Sequence, residues 1–170
     1  MKSTSKMETA PADRPSGTFL LDDFLPYRLS VAANRVSRMF SRRFAEAFGL
    51  SIPEWRVLAI LGNVGSASPS AVGEMAAMDK VKVSRAAASL VARGMVRQTQ
   101  DPDDGRARIL RLTRKGTTAY HNAVPLARTM ETEIAAGLSR AEWGSLHKAL
   151  NRLLQHVEAL HGPDDGTADD

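Results

Sequence analysis

The sequence predicts a mainly α-helical fold with one small β-hairpin, and three observations carry that prediction. Apolar residues recur at helical spacing through most of residues 20–161, with capping residues and glycines at the ends of the runs. One segment breaks the pattern: Val96 to Gln100 and Ala107 to Leu112 are extended runs joined by Asp101-Pro102-Asp103-Asp104-Gly105, residues suited to a turn. That hairpin follows directly on a short helix, so helix, turn and hairpin stand in the order of a winged helix-turn-helix.

Taken in order, the polar, proline-broken N-terminus over residues 1–19 is expected to be a disordered tail. A first helix starts behind Asp22 or Asp23 and runs to Phe48. Leu25, Leu29, Ala32, Val36, Phe40, Phe44 and Ala47 lie along one face, and Gly49 ends it. Pro26 falls in its first turn, where a missing N–H is tolerated. Ser51 caps a second helix with Trp55, Leu58 and Leu61 inward and Gly62 to Ser68 as its exit. Ser68-Pro69 opens a short third helix whose Val72, Met75 and Ala76 support the next helix from behind.

Asp79 caps that fourth helix, which begins at Lys80 and stops after Arg93 at Gly94. Val83, Ala87 and Leu90 share its buried face, while Lys82, Ser84, Arg85, Ala88 and Ser89 lie opposite. The small residues Ala86, Ala87, Ala88 and Ser89 keep it slim enough for a major groove about 12 Å wide. In the hairpin, Ile109, Leu110 and Leu112 supply the apolar positions, Arg108 and Arg111 lie on the returning strand and Arg106 sits at the tip, where it suits a narrow minor groove.

Beyond the hairpin, Thr113 caps a long helix from Arg114 to about Leu138, which Pro125 is expected to interrupt and bend. Ser139 caps the last helix, where Trp143, Leu146, Leu150, Leu153, Val157 and Leu160 follow at steps of three and four as a heptad-like seam. Residues 162–170 carry four Asp and no basic residue and read as an acidic disordered tail. The expected organisation is one unit over 20–161, with a DNA-binding winged helix at about 51–113 and long helices at about 22–48 and 114–161.

Charge is distributed unevenly. From Lys80 to Lys115 there are ten Lys or Arg against three Asp, a net +7, whereas the whole chain is +4 and the remainder therefore −3. Cations gathered into one segment point to a phosphate backbone rather than to general solubility. The chain has no cysteine, which excludes a disulfide framework, a thiolate metal site and a thiol redox switch. Its four histidines lack HExxH spacing, no Gly-rich phosphate loop is present, and no acid, base and nucleophile converge, so neither an enzyme nor a metal or cofactor site is expected. No run of about 18 apolar residues and no signal-peptide pattern is found, and a cytoplasmic location on the nucleoid is expected.

The segments FGLSIPEWRVLAIL (48–61), DKVKVSRAAASLVARGMV (79–96) and DPDDGRARILRLTRKG (101–116), in this order and spacing, resemble the MarR family of winged-helix transcription regulators. The resemblance covers roughly residues 20 to 160. It implies that the helix beginning near Lys80 enters the major groove and that Asp104 orients Arg106 for a minor-groove contact. It also implies a homodimer joined through the first, fifth and sixth helices, binding double-stranded DNA at a pseudo-palindromic operator. Val81 and Lys82 stand where many relatives carry small polar residues, and Met95 where leucine is usual.

The expected DNA-binding residues are Lys80, Lys82, Ser84, Arg85, Ser89, Asp104, Arg106 and Arg108. Arg85, with its bidentate fork, is the better base reader, and Lys82 can equally hold a phosphate. In the family a small anionic, often aromatic, molecule binds between the dimerisation helices and the DNA-binding lobe and releases DNA. Here the nearest suitable groups are Phe24, Tyr27, Arg28 and Trp55, with Arg35 and Arg56 nearby. Two functions follow: a ligand-released repressor, or an architectural or protein-binding winged helix with no small-molecule response.

Overall fold

The computed structural model describes residues 19–100 and 108–161. Among the described residues the helices are α1 (Leu25–Phe48), α2 (Ile52–Val64), α3 (Pro69–Ala76), α4 (Lys80–Ala92), α5 (Arg114–Ala135) and α6 (Arg140–His161). The strands are β1 (Ser66–Ala67), β2 (Val96–Gln100) and β3 (Arg108–Leu112), and a 3-10 turn over Leu21–Asp23 precedes α1. Contacts gather the chain into two compact units, residues 1–39 and 40–170, with the division inside α1. The expected tails, all but Phe19 of residues 1–19 and all of 162–170, the hairpin tip and Ala107 lie outside the described residues.

In the first unit the ring of Phe19 meets Phe24 edge-on at 5.3 Å. The apolar face expected along α1 is largely in solvent: Leu25 is 57% and Val36 38% exposed, and Phe44 is the helix's one buried residue.

The second unit is organised around α2. Ser51 accepts a hydrogen bond from the Glu54 N–H, and Glu54 Oε2 accepts one from the Ser51 N–H at 2.7 Å, a reciprocal capping box. Val57, Leu58 and Leu61 then pack with Val72 of α3, Val83, Ala86, Ala87 and Leu90 of α4, and Val96 and Leu110 of the sheet. This core fixes α4 from behind, as the spacing of Val83, Ala87 and Leu90 predicts. Met75, expected inside, is half exposed, because the eight-residue α3 buries only Val72 and Ala76.

The sheet has the order β1-β3-β2 and is antiparallel throughout. Val96 pairs with Leu112 and Gln100 with Arg108, so the two extended runs pair as a hairpin. The stretch expected as an exit loop differs: α2 continues to Val64, Gly65 turns the chain at φ 80°, and Ser66 and Ala67 pair with Arg111 and Leu110. Gly65 supplies that positive φ at no steric cost.

At its other end the hairpin is joined to α5 by a tight junction. Thr113 caps α5 by accepting from the Gly116 N–H, and its own hydroxyl donates to the Gly94 carbonyl at 2.7 Å. A Cβ on Gly116 would fall on the Met95 carbonyl oxygen, so this approach of helix to strand is open only to glycine. Helix α5 runs unbroken through Pro125 to Ala135, three residues short of the expected end. Helix α6 begins with a second reciprocal box, in which the Ser139 N–H donates to Glu142 at 2.8 Å. Over residues 140–160 none is buried, and Leu146, Leu150, Leu154 and Leu160 are exposed.

Candidate nucleic-acid interface

The candidate interface is the outer face of α4 together with the adjoining hairpin. Asp79 starts α4 by accepting from the Lys82 N–H at 2.8 Å and pairs with the Lys82 ammonium at 2.9 Å. The hydrogen bonds from Lys82 hold the Asp79 carboxyl below its ordinary range. Lys80, Val81, Lys82, Ser84, Arg85 and Ala88 are all exposed, opposite the buried Val83, Ala86, Ala87 and Leu90.

These side chains divide over two flanks of the helix. On one side a groove of about 690 Å³ between α3, α4 and the hairpin brings Lys80 and Ser84 together with Arg108 of β3, over a floor that includes Gly73, Met78 and Val83. On the other, a smaller groove of about 260 Å³ holds Lys82, Arg85 and Ser89 beside Ser51 and Pro53 at the start of α2. Among the described residues, Lys80, Arg85, Arg97, Arg108 and Arg111 form no ion pair. Asp104 and Arg106, expected at the wing tip, lie outside the described residues.

Ser89 differs from expectation. It is half-buried, and its hydroxyl donates to Glu54 Oε1 at 2.6 Å instead of projecting with the other polar residues. The reason is Glu54, the one buried charged residue among those described, at 7% exposure. Its carboxylate also accepts from the Ser51 N–H and hydroxyl, each at 2.7 Å, and pairs with Arg93 at 3.3 Å. Burial alone would raise the Glu54 pKa; the hydrogen bonds from Ser89 and Ser51 and the Arg93 charge outweigh it and hold the carboxyl below its usual value.

Arg93 is likewise internal in purpose. Its guanidinium donates to the carbonyls of Gly49 at 3.0 Å and Phe48 at 3.3 Å, tying the end of α4 to the α1–α2 link. Lys115 donates to the Arg93 carbonyl at 2.8 Å from the start of α5. Two of the ten cations of the basic segment are thus engaged in holding α4 in place. The Ser51-x-x-Glu54 spacing could have revealed the capping role of Glu54, but no sequence signal links it to Ser89 or Arg93.

The residues expected to bind a small molecule fall in both units. Phe24, Tyr27 and Arg28 belong to the first and are exposed, Phe24 at 42% and Tyr27 at 37%. Trp55 belongs to the second, where it is half-buried and not the core residue expected. Its ring lies between Phe44 at 4.8 Å and Tyr120 at 6.2 Å, and the Tyr120 hydroxyl donates to Asn63 at 2.9 Å. Tyr120 was not foreseen as part of this aromatic stack, because it lies on α5, far away in sequence. Among the described residues no group of His, Asp or Glu has the arrangement of a metal site, and no helix is long and apolar enough to cross a membrane.

Comparison with known proteins agrees with this architecture. Residues 48–107 match the family model described as MarR family. The chain is 26% identical over 148 residues to the HTH-type transcriptional repressor IacR of Pseudomonas putida, spanning 87% of this chain and 88% of that protein. The crystal structure of a probable transcriptional regulator from Pseudomonas aeruginosa superposes with a TM-score of 0.70 at 29% identity, over 79% of this chain and 99% of that one. Bordetella bronchiseptica BpsR, in a structure describing regulation of its DNA binding by 6-hydroxynicotinic acid, superposes with a TM-score of 0.74 at 24% identity, over 81% and 97% of the two chains.

Proposed function

We propose, from the match of residues 48–107 to the MarR-family model, that the chain is a sequence-specific DNA-binding transcriptional regulator. In this reading it is a repressor that holds a pseudo-palindromic operator as a homodimer in the cytoplasm and is released by a small aromatic or anionic ligand. It performs no catalysis. The observation that carries the reading is the exposed face of α4, with Lys80, Ser84 and Arg108 around one groove and Arg85 on the opposite flank.

Each side chain has a part. Arg85, exposed and without an ion pair among the described residues, offers a bidentate fork to guanine in the major groove. Lys82 is tethered to Asp79 and suits a phosphate, as do Lys80, Ser84 and Arg108. Arg106, oriented by Asp104, enters the minor groove. Ser89 acts through Glu54 by fixing the helix that the others project from.

The exposed Leu146, Leu150, Leu154 and Leu160 of α6 support dimerisation, since a long helix with no buried residue over 140–160 needs a covering surface. A two-fold dimer presents two copies of α4 about one DNA turn, roughly 34 Å, apart. The reported regulation of BpsR by 6-hydroxynicotinic acid supports an aromatic acid as effector. Arg28 would take its carboxylate, and Phe24 and Tyr27, in the same unit, its ring. To release DNA, the ligand must bind the DNA-free arrangement more tightly than the DNA-bound one.

Gel retardation of palindromes from the DNA upstream of its own gene, with and without a panel of aromatic carboxylates, tests the reading. A discrete complex that dissociates with one of the acids is expected. Salt-dependent binding to any duplex, with no preference for sequence and no response to ligand, would replace the repressor with an architectural protein.

A further inference from the structure

Resting on the DNA-binding reading above, we propose that Val81 reads sequence directly and selects thymine in the operator by packing against its 5-methyl group in the major groove. Val81 is the second residue of α4 and is 57% exposed. Steps of three and four place it on one stripe with Ser84, Arg85 and Ala88, opposite the stripe of Val83, Ala86, Ala87 and Leu90 that the core takes up. It is the one bulky apolar side chain on the outward face of the first two turns, and its chain neighbours are Lys80 and Lys82.

Neither folding nor hydration accounts for valine there. The core gains nothing from it, a β-branched residue is a poorer helix former than alanine or lysine, and its methyls stand in water. The surrounding cations draw a nucleic acid to this face rather than an apolar protein surface. Within a major groove, the apolar group that a base pair presents is the thymine methyl. Arg85 lies one turn further along, about 6 Å by helix rise, which is less than two base-pair steps. The methyl therefore belongs within about two base pairs of the guanine that Arg85 reads.

The test starts by selecting bound duplexes from a random library with the full chain, then replacing each thymine of the preferred half-site in turn with deoxyuridine. That exchange deletes the methyl and keeps the hydrogen-bonding edge. One position is expected at which the exchange weakens binding about fourfold per half-site, the equivalent of one buried methyl. It should adjoin the base pair whose discrimination is lost in Arg85→Ala. Val81→Ala should fold normally and bind thymine and deoxyuridine duplexes alike at that position, while Val81→Ile keeps the difference. Equal binding of both duplexes by the unaltered protein, or a difference that survives in Val81→Ala, overturns the proposal. Failure to select any sequence would instead overturn the sequence-specific reading on which it rests.

Discussion

Glu54 is buried between the start of α2 and the end of α4, which makes it the residue where the fold fixes the helix proposed to read DNA. Its carboxylate accepts from Ser51 at the start of α2 and from Ser89 on α4, and pairs with Arg93 at the end of α4. Glu54→Gln keeps the size but loses the charge, and should destabilise the protein by about 1–3 kcal/mol at neutral pH, measured by urea unfolding. Because the folded pKa lies below the unfolded value of about 4.3, the carboxylate's contribution is full above that pH and is lost as pH falls through the depressed value. The gap between Glu54→Gln and wild type should accordingly be constant near neutrality and close in acid; a gap that persists unchanged would show that the charge is irrelevant. Arg93 and Arg85 make a matched pair of tests. Arg85→Ala should lower affinity, discrimination between sites and the salt dependence of binding, whereas Arg93→Gln should lower stability without removing a phosphate charge from the salt slope. Charge counting from sequence treats these two arginines alike, and only their three-dimensional partners separate them.

At the scale of elements, the junction of β2 and α5 allows little change. Gly116→Ala would drive a methyl into the Met95 carbonyl and should cost about 3 kcal/mol or more, visible as a large fall in melting temperature. A melting temperature near wild type would mean that helix and strand can separate without penalty. Caps were the most legible part of the sequence: Ser51, Ser68, Asp79, Thr113 and Ser139 all stand where helices begin, and the two extended runs pair as strands. The misses have physical causes. A two-residue strand such as β1 is too short to show alternation and depends on an edge offered by distant β3. Met75 fits a helical apolar period, yet α3 is short enough for two residues to fill its inner face. Pro125 forbids one hydrogen bond, but α5 continues on both sides of it.

Across the whole molecule, the surplus of positive charge and the open leucines of α6 bear on different parts of the proposed function and can be tested apart. Leu150→Glu together with Leu154→Glu should give a monomer by sedimentation equilibrium while leaving the winged helix folded, because neither residue is buried. If that double variant remains dimeric, α6 is not the seam. Position in a family and the basic segment could be read from residues 48–116 alone, while which cations face outward required the packed core. The aromatic stack around Trp55 has one more consequence. The chain contains two tryptophans: Trp55, tilted against Phe44 and stacked on Tyr120, and Trp143 on α6 with its ring 4.7 Å from His147. Replacing either with phenylalanine leaves a single tryptophan, so red-edge emission from Trp55 follows melting around α2 and that from Trp143 tests the proposed association of α6, each without an attached dye.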